Sequence, residues 1–242
     1  MNLASRIGAW AKTVGWVNPY VTDGLVAMWD GEWNAGPGVH DPNATTWRDL
    51  VNGYHLDAYD GSSCDWGSDN ALFSGQTMLG RGPVLTSEFV TVEIITDIVT
   101  TGNNVGIFSI FDLAQTSPDA YRNKRMMARI AANQLYITGD AAQYGTGITG
   151  KIRASIIKYL PITDRVYKKT KLYSEGEYEK QFDAGYMMSS GSDYSVGKCP
   201  IDSGFGSGLN GKVYCIRVYN RELSASEIAA NYVVDKARFG LT

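Results

Sequence analysis

Cysteine, histidine and excess positive charge are all scarce in this chain, and each shortage closes off a class of protein. Three cysteines, Cys64, Cys199 and Cys215, in 242 residues are too few, and odd in number, for a disulfide framework. None stands in a C-x-x-C or C-x-x-H spacing that would hold zinc. The one pairing to name, Cys64–Cys199, has no support in the spacing. The only two histidines, His40 and His55, fall in loop-like sequence beside Asp41 and Asp57. No G-x-S-x-G nucleophile motif or metal-ligand spacing accompanies them, so they read as ordinary loop residues. A net charge of −3 and a pI near 5.4 leave no basic face of the kind nucleic acid needs. The one basic run, RVYKKTK over 165–171, reads as a solvated strand face or loop. No stretch of about 18 apolar residues is present, so no membrane span is expected. A secretory leader is not expected either. After Arg6, the stretch IGAWAKTVGWV is interrupted by Lys12 and is too short and too rich in tryptophan for a leader's apolar region. The expectation is a soluble chain made in the cytoplasm.

Glycine, by contrast, is abundant at 27, together with 15 tyrosines and a hydrophobic share of 44%. That balance suits many strands joined by tight turns, and one large β-sandwich accommodates the length. The first twenty residues stand apart. Leu3, Ile7, Trp10, Val14 and Val17 are spaced four, three, four, three, which forms one apolar stripe on a helix. Asn18-Pro19 ends it, because the residue before proline disfavours helical backbone. Two heptads are too short to be stable alone in water. The stripe must therefore pack on the chain's own sandwich, on a copy of itself in a homo-oligomer, or on a larger partner. The organisation read here is an amphipathic helical extension over 1–20 followed by one β domain over 21–242.

From Asp23 the pattern becomes β. Strands are expected in GLVAMWD, within TTWRDLVNGYHLDAYD, and in EFVTVEIITDI, NVGIFSIFD, RMMARIA, QLYITGD, KIRASIIKYL, VYKKTKLYS, YEKQFDAG and SDYSVGK. ALFSG and QTMLG look like a short hairpin around Gly75. The last block is the most legible. A strand over 211–219 places Val213, Cys215, Arg217 and Tyr219 on one face and Tyr214, Ile216 and Val218 on the other. Cys215 is expected to act as a small buried hydrophobe. Asn220-Arg221-Glu222 turns the chain, Ser224 and Glu227 form a Ser-x-x-Glu capping box, and a helix follows over about 225–236. Roughly a dozen strands with helices only at the two ends imply two antiparallel sheets packed face to face.

Residues 209–239, LNGKVYCIRVYNRELSASEIAANYVVDKARF, closely resemble the last strand and trailing helix of the concanavalin A-like lectin/glucanase jelly rolls, in their laminin G-like branch. Many of its members end in a pattern like G-x-I-D-x-V-R-I-Y-N-R-A-L-S-x-x-E-I. The opening GLVAMWD followed by W-x-D-L-x-N-G-x-H-L is similar to that group's opening. TKLYSEGEYEKQ resembles its L-Y-x-N-G hairpin, with the turn at Ser174-Glu175-Gly176, and SDYSVGK its L-x-I-G strand. The resemblance covers residues 22–240 and is strongest over 205–235. It implies an all-β, two-sheet antiparallel jelly-roll sandwich. It also implies a choice of roles, because the branch includes sugar-binding and catalytic members and resembles domains met in phage and prophage proteins of gut bacteria.

The catalytic members carry paired carboxylates on one strand, in E-x-D-x-E or E-x-D-x-x-E patterns, and the pair must stand about 5 Å apart across the sugar. No such pair is present. Glu88 and Glu93 fall on opposite faces of their strand, and Glu93 and Asp97 lie roughly 13 Å apart along it. Glu175, Glu177 and Glu179 alternate, but the hairpin turn takes the first of them. These glutamates read as a solvent face, and the chain reads as a non-enzyme. Sugar binding needs only an aromatic plate and polar neighbours. Trp33 in GEWNAGPGVHDPN, and Tyr59, Asp60 and Trp66 in YDGSSCDWGSD, are the first candidates for a ligand-binding loop rim. Tyr144 and Tyr186 lie in similar glycine-rich sequence. Calcium is the family's cofactor option, but Asp60, Asp65 and Asp69 do not match an EF-hand-type loop, so no cofactor is expected. The reading is a non-catalytic lectin-like module binding a glycan or protein surface, with a virion or adhesion component as its setting. A purely structural virion or assembly protein is the alternative, and a glycoside hydrolase with an unrecognised site the lesser one.

Overall fold

A computed structural model describes residues 17–241 except 60, 62, 86, 88, 100–104, 112–125, 132–133, 139–141, 145–149, 160–167, 185–191 and 199–207. The helix expected over 1–20 therefore lies largely outside the described residues. Val17–Tyr20 are not helical, and Val17 is 59% exposed.

Two antiparallel sheets make up the molecule. The first contains β1 (Leu25–Asp30), β4 (Asp65–Trp66), β5 (Ala71–Ser74), β7 (Phe89–Ile98), β12 (Gly150–Tyr159), β13 (Lys168–Ser174), β14 (Glu177–Ala184) and β16 (Asn210–Tyr219). Its order is β14-β13-β12-β7-β16-β5-β4, with β1 also paired to β16. The second contains β2 (Thr46–Trp47), β3 (Leu56–Ala58), β6 (Thr77–Arg81), β8 (Val105–Phe111), β9 (Met126–Ala131), β10 (Gln134–Thr138), β11 (Ala142–Tyr144) and β15 (Asp193–Gly197), in the order β11-β10-β9-β8-β15-β6-β3-β2. A helix, α1 (Ala225–Phe239), follows β16. This is the all-β jelly-roll sandwich with its C-terminal helix that the sequence predicts. No described helix is long and apolar enough to cross a membrane.

Between the sheets the core is apolar. Val90, Val92 and Ile94 of β7 and Ile216 and Val218 of β16 meet Phe108 and Ile110 of β8 and Tyr194 and Val196 of β15. Trp29, Phe108 and Tyr194 stack at tilted angles with centroids 5.9–6.2 Å apart, a favourable aromatic geometry. The W-x-D-L-x-N-G-x-H-L segment earns its composition locally. The buried Asp49 carboxylate accepts the backbone N–H groups of Met28, Val51, Asn52 and Tyr54. Gly53 supplies φ +82, and His55 accepts the Asp49 N–H through Nδ1. His55 is thus a structural loop residue.

Two local expectations fail. The strands around Gly75 do not form a hairpin: β5 pairs with β4 and β16 in one sheet, whereas β6 pairs with β3 and β15 in the other. Gly75-Gln76 carries the chain between sheets, with Gly75 at φ +101 and its N–H bonded to Leu209 O at 2.8 Å. A Cβ on Gly208 would fall 2.4 Å from the Gly75 backbone, so Gly208 leaves room for the crossing and Gly75 supplies the positive φ. The second failure is the facing of β16. Its register against β7 shifts between Val213 and Cys215, which is a β-bulge. The extra residue puts Val213 with Ile216 and Val218 against the inter-sheet core, and Tyr214 with Cys215 and Tyr219 on the outer face.

That outer face is covered by α1. The capping box forms as expected: Ser224 accepts the Glu227 N–H and Glu227 accepts the Ser224 N–H. Gly240, in left-handed backbone at φ 64, closes the other end. Ile228, Asn231, Asp235 and Phe239, on the inner side of α1, are buried against the sheet.

Candidate functional site

Two polar assemblies stand out, one at an edge of the sandwich and one beneath α1. At the edge, β2 and β4 are the end strands of the two sheets, and their tryptophans meet. Trp47 is fully buried and donates from Nε1 to Asp30 O at 3.0 Å. Trp66 is half-buried, packs edge-on to Trp47 at 5.4 Å, and donates from Nε1 to Ala44 O at 2.7 Å. The Trp66 side chain is therefore locked in place while the residue stays partly open to solvent. Asp65 beside it is exposed, and on the neighbouring edge Thr46 donates its hydroxyl to Asp57 at 2.6 Å. The 34–41 loop is closed by Asn34, which donates to Asp41 O and accepts the Asp41 N–H, both at 2.8 Å. His40, Asp41 and Asn43 are exposed on it.

Of the four candidate ligand residues, Trp66 and Tyr59 are half-buried and Asp60 lies outside the described residues. Trp33 is not a rim residue: it is 4% exposed and belongs to the cluster under α1. The Arg238 guanidinium lies 3.9 Å from its ring centroid. That contact occupies the face a sugar would need. Asp65 is exposed, and Asp69 accepts a hydrogen bond from Asn70 Nδ2. Among the described residues no group of three or more His, Cys, Asp or Glu side chains is placed to hold a metal ion. Cys64 is a free, buried thiol, pushed up to about 12 by burial and so unreactive at neutral pH.

Beneath α1, Glu93 of β7 is wholly buried rather than on a solvent face. It accepts hydrogen bonds from Arg153, from Ser155 Oγ at 3.0 Å, from Arg217 Nε at 2.8 Å and from Asn231 Nδ2 at 2.8 Å. Asp235 of α1 accepts Arg217 bidentately at 2.8 and 2.6 Å and Arg153 Nε at 3.1 Å. Tyr20 lies flat over Arg217, 3.8 Å from guanidinium to ring. A third arginine, Arg238, joins Asp30 bidentately at 2.7 and 3.0 Å, Tyr20 OH at 2.8 Å and Glu32 at 2.8 Å. Burial alone would push the Asp235 carboxyl up, but the Arg217 and Arg153 charges outweigh it and hold it below its ordinary value.

The chemistry of this network is closed. Both central carboxylates have no solvent exposure, and their oxygens are taken by arginines, so neither can reach a substrate proton. Of the other suspected glutamates, Glu177 and Glu179 are exposed. Glu175 sits in the β13–β14 turn at φ 48 and accepts the Arg153 N–H at 2.8 Å. Burial raises the Glu175 carboxyl. The network was missed in sequence although it left a trace: single charges interrupt apolar runs in TVEIIT, KIRASII and CIRVY, and a charge inside a central strand needs a buried partner.

No protein-family model matches the chain, and no curated protein does. Solved structures do share its fold. Trypanosoma rangeli sialidase in complex with sialic acid is 14% identical at a TM-score of 0.63, over 96% of this chain and 37% of its own. Another Trypanosoma rangeli sialidase structure is 16% identical at 0.61, over 88% and 33%. A botulinum neurotoxin type C structure, whose cell entry depends upon interaction with two ganglioside molecules, is 11% identical at 0.59, over 87% and 51%. The chain thus spans about a third of the sialidase chains and half of the neurotoxin chain.

Proposed function

We propose that the chain is a non-catalytic, laminin G-like lectin module that offers the β2/β4 edge of its sandwich to a glycan on another molecule's surface. One observation carries this reading: Trp66 stays only half-buried at the sandwich edge while Trp47 and Ala44 hold it in place. A preset aromatic side chain offers the apolar face of a pyranose a plate to stack on, and exposed Asp65 and the Thr46–Asp57 pair on the outward faces of the same edge strands offer polar partners to ligand groups that reach round the edge. Tyr59 stays in the proposed set, as does Asp60 on its sequence position, and Trp33 leaves it. The sealed state of Glu93 and Asp235 supports a role without catalysis. Fold neighbours that engage sialic acid and gangliosides support glycan as the ligand class. The reading calls on no cofactor.

The test is retention of the purified protein on immobilised glycans, sialic acid-terminated and neutral. Trp66→Ala should weaken binding by roughly 1–3 kcal/mol, the range for an aromatic anchor. Trp66→Phe, which keeps a plate, should weaken it less. Binding that is indifferent to both substitutions would move the site elsewhere. Absence of any glycan binding would leave a protein surface, as in an assembly role, as the ligand.

A further inference from the structure

The solvent side of α1 has an unusual composition. At 100° per residue, Ser226, Ala229, Ala230, Val233 and Ala237 fall on one arc, opposite the buried Ile228, Asn231, Asp235 and Phe239. The first four are exposed and Ala237 is half-buried, and the only charge near the arc is Lys236 on its flank. Val233 is 61% exposed. A surface helix ordinarily turns charged and polar residues outward. This one turns outward an apolar row of small side chains, over which a second helix could pack closely.

The chain's own N-terminal segment leaves the domain along the inner flank of α1. The Val21 N–H is bonded to Asn231 Oδ1 at 2.9 Å, and Tyr20 OH to Arg238 at 2.8 Å. Val21 and Val234 pack on the same cluster. Residues 20–21 are therefore held against positions 231 and 238 of α1, and on the helical wheel Val234 lies between these and Ala230 of the outward row. The three residues 17–19, extended, reach about 10 Å, roughly the diameter of a helix. Upstream of them stand Leu3, Ile7, Trp10 and Val14 at helical spacing, a stripe too short to hold a helix by itself.

We propose that residues 3–14 form a helix that docks its apolar stripe on the Ala229–Ala230–Val233–Ala237 face of α1 in the same chain. The tether favours the intramolecular partner, because a short linker sets an effective concentration in the millimolar range. Each element supplies what the other lacks: the segment needs an apolar surface to become helical, and α1 has an outward apolar row that nothing else among the described residues covers.

Trypsin digestion of the whole chain tests this, since Arg6 and Lys12 lie within the segment. In the wild-type protein both sites should be protected, and the mass by light scattering should be that of a monomer. Val233→Glu should speed cleavage at both by about tenfold, the factor that loss of one buried branched side chain is worth, with the melting temperature of the sandwich unchanged. Glutamate has the better helix propensity, so α1 itself stays intact. Cleavage as fast in the wild type as in the variant would overturn the proposal. So would protection that survives both Val233→Glu and Ala230→Glu. A wild-type dimer that Val233→Glu turns into a monomer would overturn it too, assigning the face to a second copy.

Discussion

The central strands of the first sheet, β7 and β16, are buried on both faces, yet the two faces solve the problem in opposite ways. Toward the second sheet, Val92, Ile94, Ile216 and Val218 join a cluster of apolar and aromatic side chains. Toward α1, the intervening Glu93 and Arg217 are just as dry but ionic. Hydrophobic contact is non-directional, so the inter-sheet core stabilises many near-equivalent packings. A bidentate arginine–carboxylate pair accepts a single geometry. In this molecule the apolar layer drives collapse, and the ionic layer specifies where the helix sits.

The largest expected effect breaks the ionic side. Arg217→Met strands two buried carboxylates and should cost about 3–5 kcal/mol, read as a drop in the urea midpoint. Replacing Glu93, Arg153, Arg217 and Asp235 together with apolar residues of similar volume should restore most of that stability or exceed it. If the fourfold variant is as unstable as the single one, the network contributes net stability rather than specificity. On the apolar face of the same strand, the adjacent Ile216→Val should cost only about 0.5–1.5 kcal/mol. A larger loss there would show that the two faces are equally exacting. At the helix start, Ser224→Ala should cost about 1 kcal/mol through the lost cap, and an unchanged melting temperature would mean that packing alone positions α1.

The smallest effect is acid-dependent. The hydrogen bond from Arg221 holds the Glu227 carboxyl down to about 2, and Asp235 is depressed as well. A folded value below the unfolded one gives stability that is present above the unfolded value, about 4 for these groups, and is lost as pH falls through the folded one. The melting temperature should therefore decline from about pH 4 toward 2, and Glu227→Gln should flatten part of that slope. A wild-type protein indifferent to pH over this window would show that the Arg221–Glu227 pair contributes nothing.

Local chemistry explains what could be read in advance. The Ser224–Glu227 capping box, the Glu175-Gly176 turn with φ 48 and 83, and the Asp49 turn each depend on residues within a few positions of one another. Trp33 and Trp66 looked alike in sequence because both stand in polar, glycine-rich stretches. Burial separated them: Arg238, more than 200 positions away, covers Trp33, whereas Trp66 is held by Trp47 and Ala44 at the sandwich edge and stays only half-buried.

The sequence by itself determined where the long strands run and where the last helix begins, because alternation, turn chemistry and caps are short-range properties of the backbone, whereas the jelly-roll arrangement was implied by the family resemblance of residues 209–239. Tertiary structure alone decided which way β16 faces around its bulge and that Gly75 crosses between sheets. It also decided that Glu93 meets Arg153, 60 positions on, and Arg217, 124 positions on. Those outcomes depend on which strands become neighbours, and a buried charge finds its partner only after that choice has been made.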